Sequence, residues 1–287
     1  MKKVSRLIIA TLVALACLTF TLFHPTQFAF TQPTPTIQNP TEIPQSIDFG
    51  RHFQELAVKG SILIEDLRQN RTYQHNPQRN STAFLPGSTF KILNSLISLE
   101  TGITSDELQM LTWDGIQRQI PAWNRDLNMK EAIKISAVWF YQVLARRVGY
   151  DRMQKWVTQV GYGNSQIGSK QDIDKFWLQG ELRITPQEQI QFLRRLYNNK
   201  LPFSERSLSI VKDILIVEKT PEYTIRAKTG WVGFEGMAKP EIGWYVGYLE
   251  KGDNIYFFAT NIDMQSQKDA SARIELTRRC FQDLGVL

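Results

Sequence analysis

The chain contains little cysteine, which limits the ways in which it can be stabilised. Of its 287 residues only Cys17 and Cys280 are cysteines. Cys17 lies in an apolar N-terminal run, so a folded domain downstream retains only Cys280 and cannot form an internal disulfide. We therefore expect a domain held together by core packing alone, with Cys280 buried and unreactive near a C-terminal helix.

Histidine is also scarce, and several catalytic motifs are missing. The three histidines, His24, His52 and His75, are scattered without companion ligands at a useful spacing, so we predict no metal site. The chain has no G-x-S-x-G nucleophile elbow, no P-loop and no dinucleotide-binding fingerprint. These absences argue against nucleotide-dependent chemistry and leave any nucleophilic serine without a histidine placed by motif.

The charge balance is mild. The net charge is +6, and three of the positive charges are Lys2, Lys3 and Arg6 at the N-terminus, which leaves about +3 for the rest. No basic run with interleaved aromatic residues occurs, so we predict no nucleic-acid partner. A weakly basic domain is suited to small anionic substrates.

Only one long apolar run is present, at residues 7–23, and it follows a basic start. This pattern is typical of a secretory signal, which we assign to residues 1–25. The run is also nearly long enough to span a membrane, so an uncleaved anchor is an alternative. Cys17 follows Ala14-Leu15-Ala16, which leaves lipidation as a second alternative. We expect an exported protein that contacts a membrane only through this segment.

Residues 26–45 are rich in threonine, proline and glutamine, and we interpret them as a linker. Residues 46–287 then form one catalytic domain. Its strand-like runs occur at both ends, and a mostly helical pattern fills residues 108–201. We predict an α/β (α+β) fold with a central antiparallel sheet flanked by helices and an inserted helical lobe. The runs are a hairpin of Gly60–Asp66 and Arg71–His75 with a turn at 67–70, strands at 223–228, 242–249 and 254–261, and a helix at 268–284.

One stretch, residues 82–101, combines a serine and a lysine three positions apart with an apolar periodic run. If the run is a helix, Ser88 lies at its start, among free backbone N–H groups, and Lys91 lies on the same face. A serine beside a lysine that can lose its proton is an activated nucleophile. The alternative is an ordinary helix-capping serine.

Three other short motifs are ambiguous when taken singly. Lys228-Thr229-Gly230 ends a strand-like run and could bind a carboxylate, although such a tripeptide is usually a turn. Ser136-Ala137-Val138 offers a second hydroxyl or simply a helix cap. Phe176-Trp177-Leu178 is typical of core packing, but a buried indole N–H needs a partner.

In sequence order, however, these motifs resemble those of class D (OXA-type) serine β-lactamases, within the penicillin-recognising enzymes. The similarity extends from about Phe49 to the C-terminus, and one departure is Gly87, where the family more often has alanine. The resemblance implies a β-lactamase/transpeptidase-like fold and no metal. The motifs are Leu85-Pro86-Gly87-Ser88-Thr89-Phe90-Lys91, Trp113-Asp114-Gly115, Trp123-Asn124-Arg125-Asp126, Ser136-Ala137-Val138, Tyr162-Gly163-Asn164, Phe176-Trp177-Leu178 and Lys228-Thr229-Gly230.

The resemblance also implies how the acylating machinery is divided. Ser88 is expected to attack the β-lactam carbonyl, with its own N–H and that of Trp231 as the oxyanion hole. Lys91 is expected to be N6-carboxylysine, a carbamate formed from CO₂ or bicarbonate that serves as general base. Ser136 is expected to carry a proton to the ring nitrogen.

Further residues are expected to support the carbamate or the substrate. Trp177 is expected to donate its indole N–H to the carbamate, between Val138 and Leu178. An apolar pocket of this kind favours the neutral amine that carbamylation requires. The substrate residues implied by the resemblance are Trp123, Lys228, Thr229, Gly230 and Arg273.

The predicted function is therefore hydrolysis of β-lactam antibiotics in a bacterial periplasm. The alternatives are a β-lactam sensor that stays acylated and a cell-wall transpeptidase or carboxypeptidase that acts on peptidoglycan. We expect residues 231–239 to influence specificity, but the sequence predicts neither the substrate spectrum nor the oligomeric state.

Overall fold

The computed structural model describes residues 47–233, 241–266 and 269–287. The predicted signal, the linker, Cys17 and most of the predicted specificity stretch lie outside these residues. No helix within the described ranges is long and apolar enough to cross a membrane.

The described residues form a six-stranded antiparallel sheet in the order β2–β1–β6–β5–β4–β3. Strands from the two ends of the domain meet at its centre, where Gly60 of β1 pairs with Ile262 of β6. This confirms the predicted fold class, with one sheet built from both ends. The strands are β1 Gly60–Asp66, β2 Arg71–His75, β3 Ile216–Lys219, β4 Tyr223–Val232, β5 Ile242–Lys251 and β6 Asn254–Asp263.

Helices cover both faces of this sheet, and most of them come from the middle of the chain, as predicted. A capping box formed by Asn128 and Glu131 begins α4, and another formed by Thr185 and Glu188 begins α7. In the described ranges the helices are α1 Gly50–Glu55, α2 Pro77–Asn80, α3 Lys91–Glu100, α4 Met129–Lys134, α5 Val138–Val148, α6 Tyr150–Val160, α7 Pro186–Tyr197, α8 Glu205–Ile214 and α9 Asp269–Asp283.

The core is divided by the sheet into two apolar clusters. Strand β5 shows why, because its residues from Ile242 to Leu249 are all buried. Trp244 and Val246 face the larger cluster with the helical lobe, whereas Tyr245 and Leu249 face the smaller cluster with α1 and α9. Cys280 lies buried in the smaller cluster, and burial raises the pKa of its thiol.

The predicted end of strand β4 at Lys228 was wrong, because the strand continues to Val232. Lys228 pairs with Val246 and Gly230 with Trp244, so Lys228-Thr229-Gly230 lies inside a strand and is not a turn. Strand β3 pairs with β4 only as far as Arg226. Beyond that point one edge of β4 has no strand partner among the described residues, and this open edge borders the candidate site.

Candidate active site

Ser88 and Lys91 lie together at the start of α3. Residues Gly87–Phe90 form one turn of 3₁₀ helix that leads directly into the α-helix at Lys91. Lys91 Nζ donates a hydrogen bond to Ser88 Oγ over 2.5 Å. The lysine side chain is completely buried. Burial, and then the charge of Lys228, lower the pKa of Lys91 well below its usual range.

Ser136 links this pair to a second buried lysine. Its Oγ accepts hydrogen bonds from Lys91 Nζ at 3.3 Å and from Lys228 Nζ at 3.0 Å. Ser136 lies between α4 and α5 with φ of 58°. A non-glycine residue in this left-handed region costs about 1–3 kcal/mol, so the surrounding structure must hold it there.

Lys228 has a more polar environment than Lys91. Its Nζ also donates to the backbone oxygen of Thr229 at 2.9 Å and to Thr229 Oγ1 at 3.3 Å. Burial and the nearby charge of Arg273 lower the pKa of Lys228 to about 7. A bound carboxylate would raise that pKa again, since an opposite charge favours the ammonium form.

Arg273 projects from α9 toward the same place. Its side chain is mostly buried, and Nη1 donates to the backbone oxygen of Gly230 at 2.7 Å. Its Nε has no hydrogen-bond partner among the described residues. Burial lowers the pKa of Arg273 to about 10, so it remains a cation at neutral pH.

Trp177 is buried and packs against the turn that carries Ser88. Its ring stacks on Phe90 with 5.4 Å between centroids, and its backbone oxygen accepts from the Gly87 N–H at 3.0 Å. Its indole N–H has no partner in the described part of the chain. A buried N–H left without an acceptor costs about 1–3 kcal/mol, which makes this orphaned donor a candidate binding group.

The Tyr162-Gly163-Asn164 motif fixes the segment that carries Trp177. Asn164 Oδ1 accepts from the Arg183 backbone N–H at 3.0 Å, and its Nδ2 donates to Glu181 O at 2.9 Å. Gly163 has φ of 55°, and a Cβ there would lie 2.0 Å from Arg183 O. Glycine is therefore required for this close backbone approach.

Every second residue of β4 directs its backbone N–H and C=O groups toward the open edge of the strand. The Ala227 N–H donates to Leu215 O on that side, and residues two apart in a strand point the same way. The backbone groups of Thr229 and Trp231 therefore face the edge as well. A Cβ added at Gly87 would lie 3.1 Å from Trp231 O, so the β4 backbone closely approaches the serine turn.

A cavity of about 300 Å³ collects most of the predicted site residues. Lys91, Lys228 and Trp177 do not line it, but the first two contact Ser136, which does. No group of three or more potential metal-ligating side chains occurs in the described ranges. The cavity is lined by Ser88, Ile120, Trp123, Ile135, Ser136, Val138, Leu178, Thr229, Gly230, Trp231, Gly233, Ala270 and Arg273.

Sequence reasoning missed two supporting contacts. Gln189 of α7 donates to Thr89 Oγ1 at 2.8 Å and is fully buried, so it braces the residue after Ser88. The Tyr141 ring lies beneath Lys91, with 5.6 Å from Nζ to its centroid. The only sequence signal for the contact of Gln189 was that a polar glutamine stands on the apolar face of an amphipathic helix.

Comparisons with known proteins agree with this geometry. Residues 60–282 match the family described as the penicillin binding protein transpeptidase domain. The chain is 40% identical over 245 residues to β-lactamase OXA-5 of Pseudomonas aeruginosa, and the aligned region covers 85% of this chain and 91% of that protein. It is 43% identical over 236 residues to β-lactamase OXA-48 of Klebsiella pneumoniae, covering 82% and 87%.

A solved structure extends the agreement to the fold. The class D β-lactamase YbXI from Nostoc superposes with a TM-score of 0.82 at 56% identity, covering 84% of this chain and 100% of that one. Fold and site thus define a penicillin-recognising serine enzyme. Within that class, the chain belongs to the class D β-lactamases, which confirms the resemblance seen in its motifs.

Proposed function

We propose that this enzyme hydrolyses β-lactam antibiotics through an acyl-enzyme on Ser88, with a carbamylated Lys91 as general base. The contact of 2.5 Å between Ser88 Oγ and Lys91 Nζ carries the proposal. Lys91 is the basic side chain that touches the serine hydroxyl, and none of the described carboxylates pairs with it. An unprotonated base at this position, the carbamate built on this amine, can accept the serine proton as Oγ attacks the carbonyl carbon.

The surroundings of Lys91 fit a carbamate. Burial favours the neutral amine that reacts with CO₂, and the orphaned indole N–H of Trp177 is a donor for the resulting anion. Val138 and Leu178 line the adjacent cavity and make this part of its wall apolar. A carbamate on Lys91 supplies general-base chemistry for acylation and for the water that deacylates the enzyme.

The remaining roles follow from position. Ser136 lies between the two lysine amines and can relay a proton to the ring nitrogen as the C–N bond breaks. Lys228, Thr229 and Arg273 can hold the substrate carboxylate near Gly230. The N–H groups of Ser88 and Trp231 can stabilise the tetrahedral oxyanion, because the Trp231 backbone faces the open edge of β4.

The decisive experiment is turnover by the purified protein. We expect a chromogenic cephalosporin and a penicillin to be hydrolysed at a steady rate far beyond one equivalent, with Ser88→Ala as the inactive control. A single burst without a steady state would instead indicate a β-lactam sensor. Release of D-alanine from a peptidoglycan peptide would indicate a carboxypeptidase.

We also propose export to the periplasm, on the basis of residues 1–25. Fractionation of a Gram-negative host that expresses the full chain should place β-lactamase activity in the periplasmic or membrane fraction. Activity confined to the cytoplasm would contradict this assignment.

A further inference from the structure

The peptide that precedes Ser136 is fixed by a side chain from a distant loop. The indole Nε1 of Trp123 donates to the backbone oxygen of Ile135 at 2.9 Å, across twelve positions of sequence. Because a peptide group is planar, fixing this oxygen also fixes the Ser136 N–H and the axis about which Ser136 takes its φ of 58°. Without the bond, Ile135 O would lose this partner and the Ser136 backbone would lose a support for its left-handed geometry.

The position of the Ser136 hydroxyl is limited by its two lysine partners. Its Oγ must stay within hydrogen-bond distance of two amines, at 3.3 Å from Lys91 and 3.0 Å from Lys228. The backbone hydrogen bond that the Ser136 N–H itself donates, to Ile133 O, is long at 3.3 Å. The shorter indole bond is thus a substantial constraint on this turn.

Trp123 is itself held by hydrogen bonds among residues that the proposed function did not use. Its backbone oxygen accepts from the indole of Trp139 at 2.8 Å. Asn124 bonds to both the backbone N–H and the backbone oxygen of Arg118, at 2.8 and 3.0 Å. Arg118 in turn pairs with Asp114 through two hydrogen bonds. These hydrogen bonds include Asp114 and Asn124, one residue from each of two sequence motifs, and they hold the loop that carries the Trp123 indole.

We propose that Trp123 is a positioning residue for Ser136, acting through the backbone oxygen of Ile135, in addition to its place in the cavity wall. The inference rests on the proposed function, because it assigns Trp123 to the proton relay of that reaction. A wall residue would affect substrates according to their side chains. A positioning residue affects every substrate alike.

The first test separates these two effects. Trp123→Phe keeps an aromatic wall and removes the N–H donor. It is assayed with benzylpenicillin and with 6-aminopenicillanic acid, which lacks the large acyl side chain. We expect kcat to fall roughly 10-fold for both compounds, with KM within about 2-fold, because one buried hydrogen bond is lost. A rise in KM for benzylpenicillin alone, with kcat unchanged, would overturn the proposal.

The second test asks whether the effect passes through Ser136. In a double-mutant cycle, Trp123→Phe added to Ser136→Ala should cost less than about 2-fold. The same roughly 10-fold loss in that background would overturn the proposal. A wild-type enzyme without turnover would instead reject the proposed function, so the two failures are distinguishable.

Two controls test whether the fall in kcat comes only from a general destabilisation of the loop. Trp113→Phe removes another indole bond in the same loop, from Nε1 to Ile116 O at 3.1 Å, and should change kcat by less than about 2-fold. An equal loss in Trp113→Phe would contradict a role specific to Trp123. If Trp123→Phe fails to fold, incorporation of benzothienylalanine at position 123 replaces only the N–H by sulfur, and the same fall in kcat is expected.

Discussion

The two buried lysines of the site share one hydroxyl but have different surroundings. Lys91 directly follows Phe90, whose ring stacks on that of Trp177, and the Tyr141 ring lies beneath its amine. Around Lys228 the neighbours are polar, with the oxygens of Thr229 as acceptors and Arg273 nearby. Both environments lower the lysine pKa.

The difference shows how one residue type can serve two purposes. A fully buried lysine whose acceptors are two serine hydroxyls is poised to be neutral, and so to react or to accept a proton. A lysine with oxygen acceptors and a pKa of about 7 is poised to become a cation when a carboxylate arrives. The first is suited to chemistry and the second to binding.

The largest expected effect comes from removing Lys91. We expect Lys91→Ala to lower kcat by roughly 10³-fold or more, because Ser88 loses its base. Lys228→Ala is the matched control, and its loss should appear mainly in KM for carboxylate-bearing substrates. Steady-state kinetics with one penicillin measures both. Equal losses of kcat in the two variants would show that the lysines are not functionally distinct.

A smaller effect is expected at Trp177. Trp177→Phe should reduce steady-state turnover by roughly 10- to 100-fold, because an anion on Lys91 would lose its donor. Deacylation should suffer more than acylation, so acyl-enzyme should accumulate and be visible by mass spectrometry. Added bicarbonate should restore part of the activity in Trp177→Phe but none in Lys91→Ala. Unchanged turnover without bicarbonate would contradict the carbamate.

The smallest effect concerns stability. The folded-state pKa of Lys228 is about 7, against an ordinary value of 10.5, so the unfolded chain binds more protons between these limits. The free energy of unfolding should therefore rise with pH across this window, by at most about 1.4 kcal/mol per pH unit for one lysine. Denaturant titrations at pH 7, 8 and 9 measure the slope, which Lys228→Met should reduce but not abolish, because the pKa of Lys91 is also lowered. An identical slope in that variant would mean that Lys228 is not the source.

Much of this architecture could be predicted from local pattern. The three-residue spacing of Ser88 and Lys91 places them on one face once this stretch is helical, as it is here. The first hairpin and the strand at residues 254–261 follow from alternation. The end of β4 was mispredicted because Gly230 and Gly233 break the alternating pattern, although pairing with β5 carries the strand past Gly230.

The rest depends on tertiary contacts that leave no periodic signature. Lys91 and Ser136 are 45 positions apart, and only the family resemblance joined them before the fold was known. The bond between Gly87 and Trp177 links two irregular segments through backbone atoms, which no side-chain pattern encodes. The hydrogen bond from the Trp123 indole to Ile135 O was missed because its acceptor is a backbone atom, which no side-chain pattern marks.

The uncovered edge of β4 has a consequence for how the molecule avoids self-association. An exposed strand edge is a template on which other chains can pair, and proteins usually cover or charge it. Here Thr229, Gly230 and Trp231 line one cavity with Ser88 and with Arg273 of α9, so this edge lies in the wall of a ligand-sized cleft. The same exposed peptide groups that would promote aggregation on an open surface are, in this cleft, available to recognise an amide.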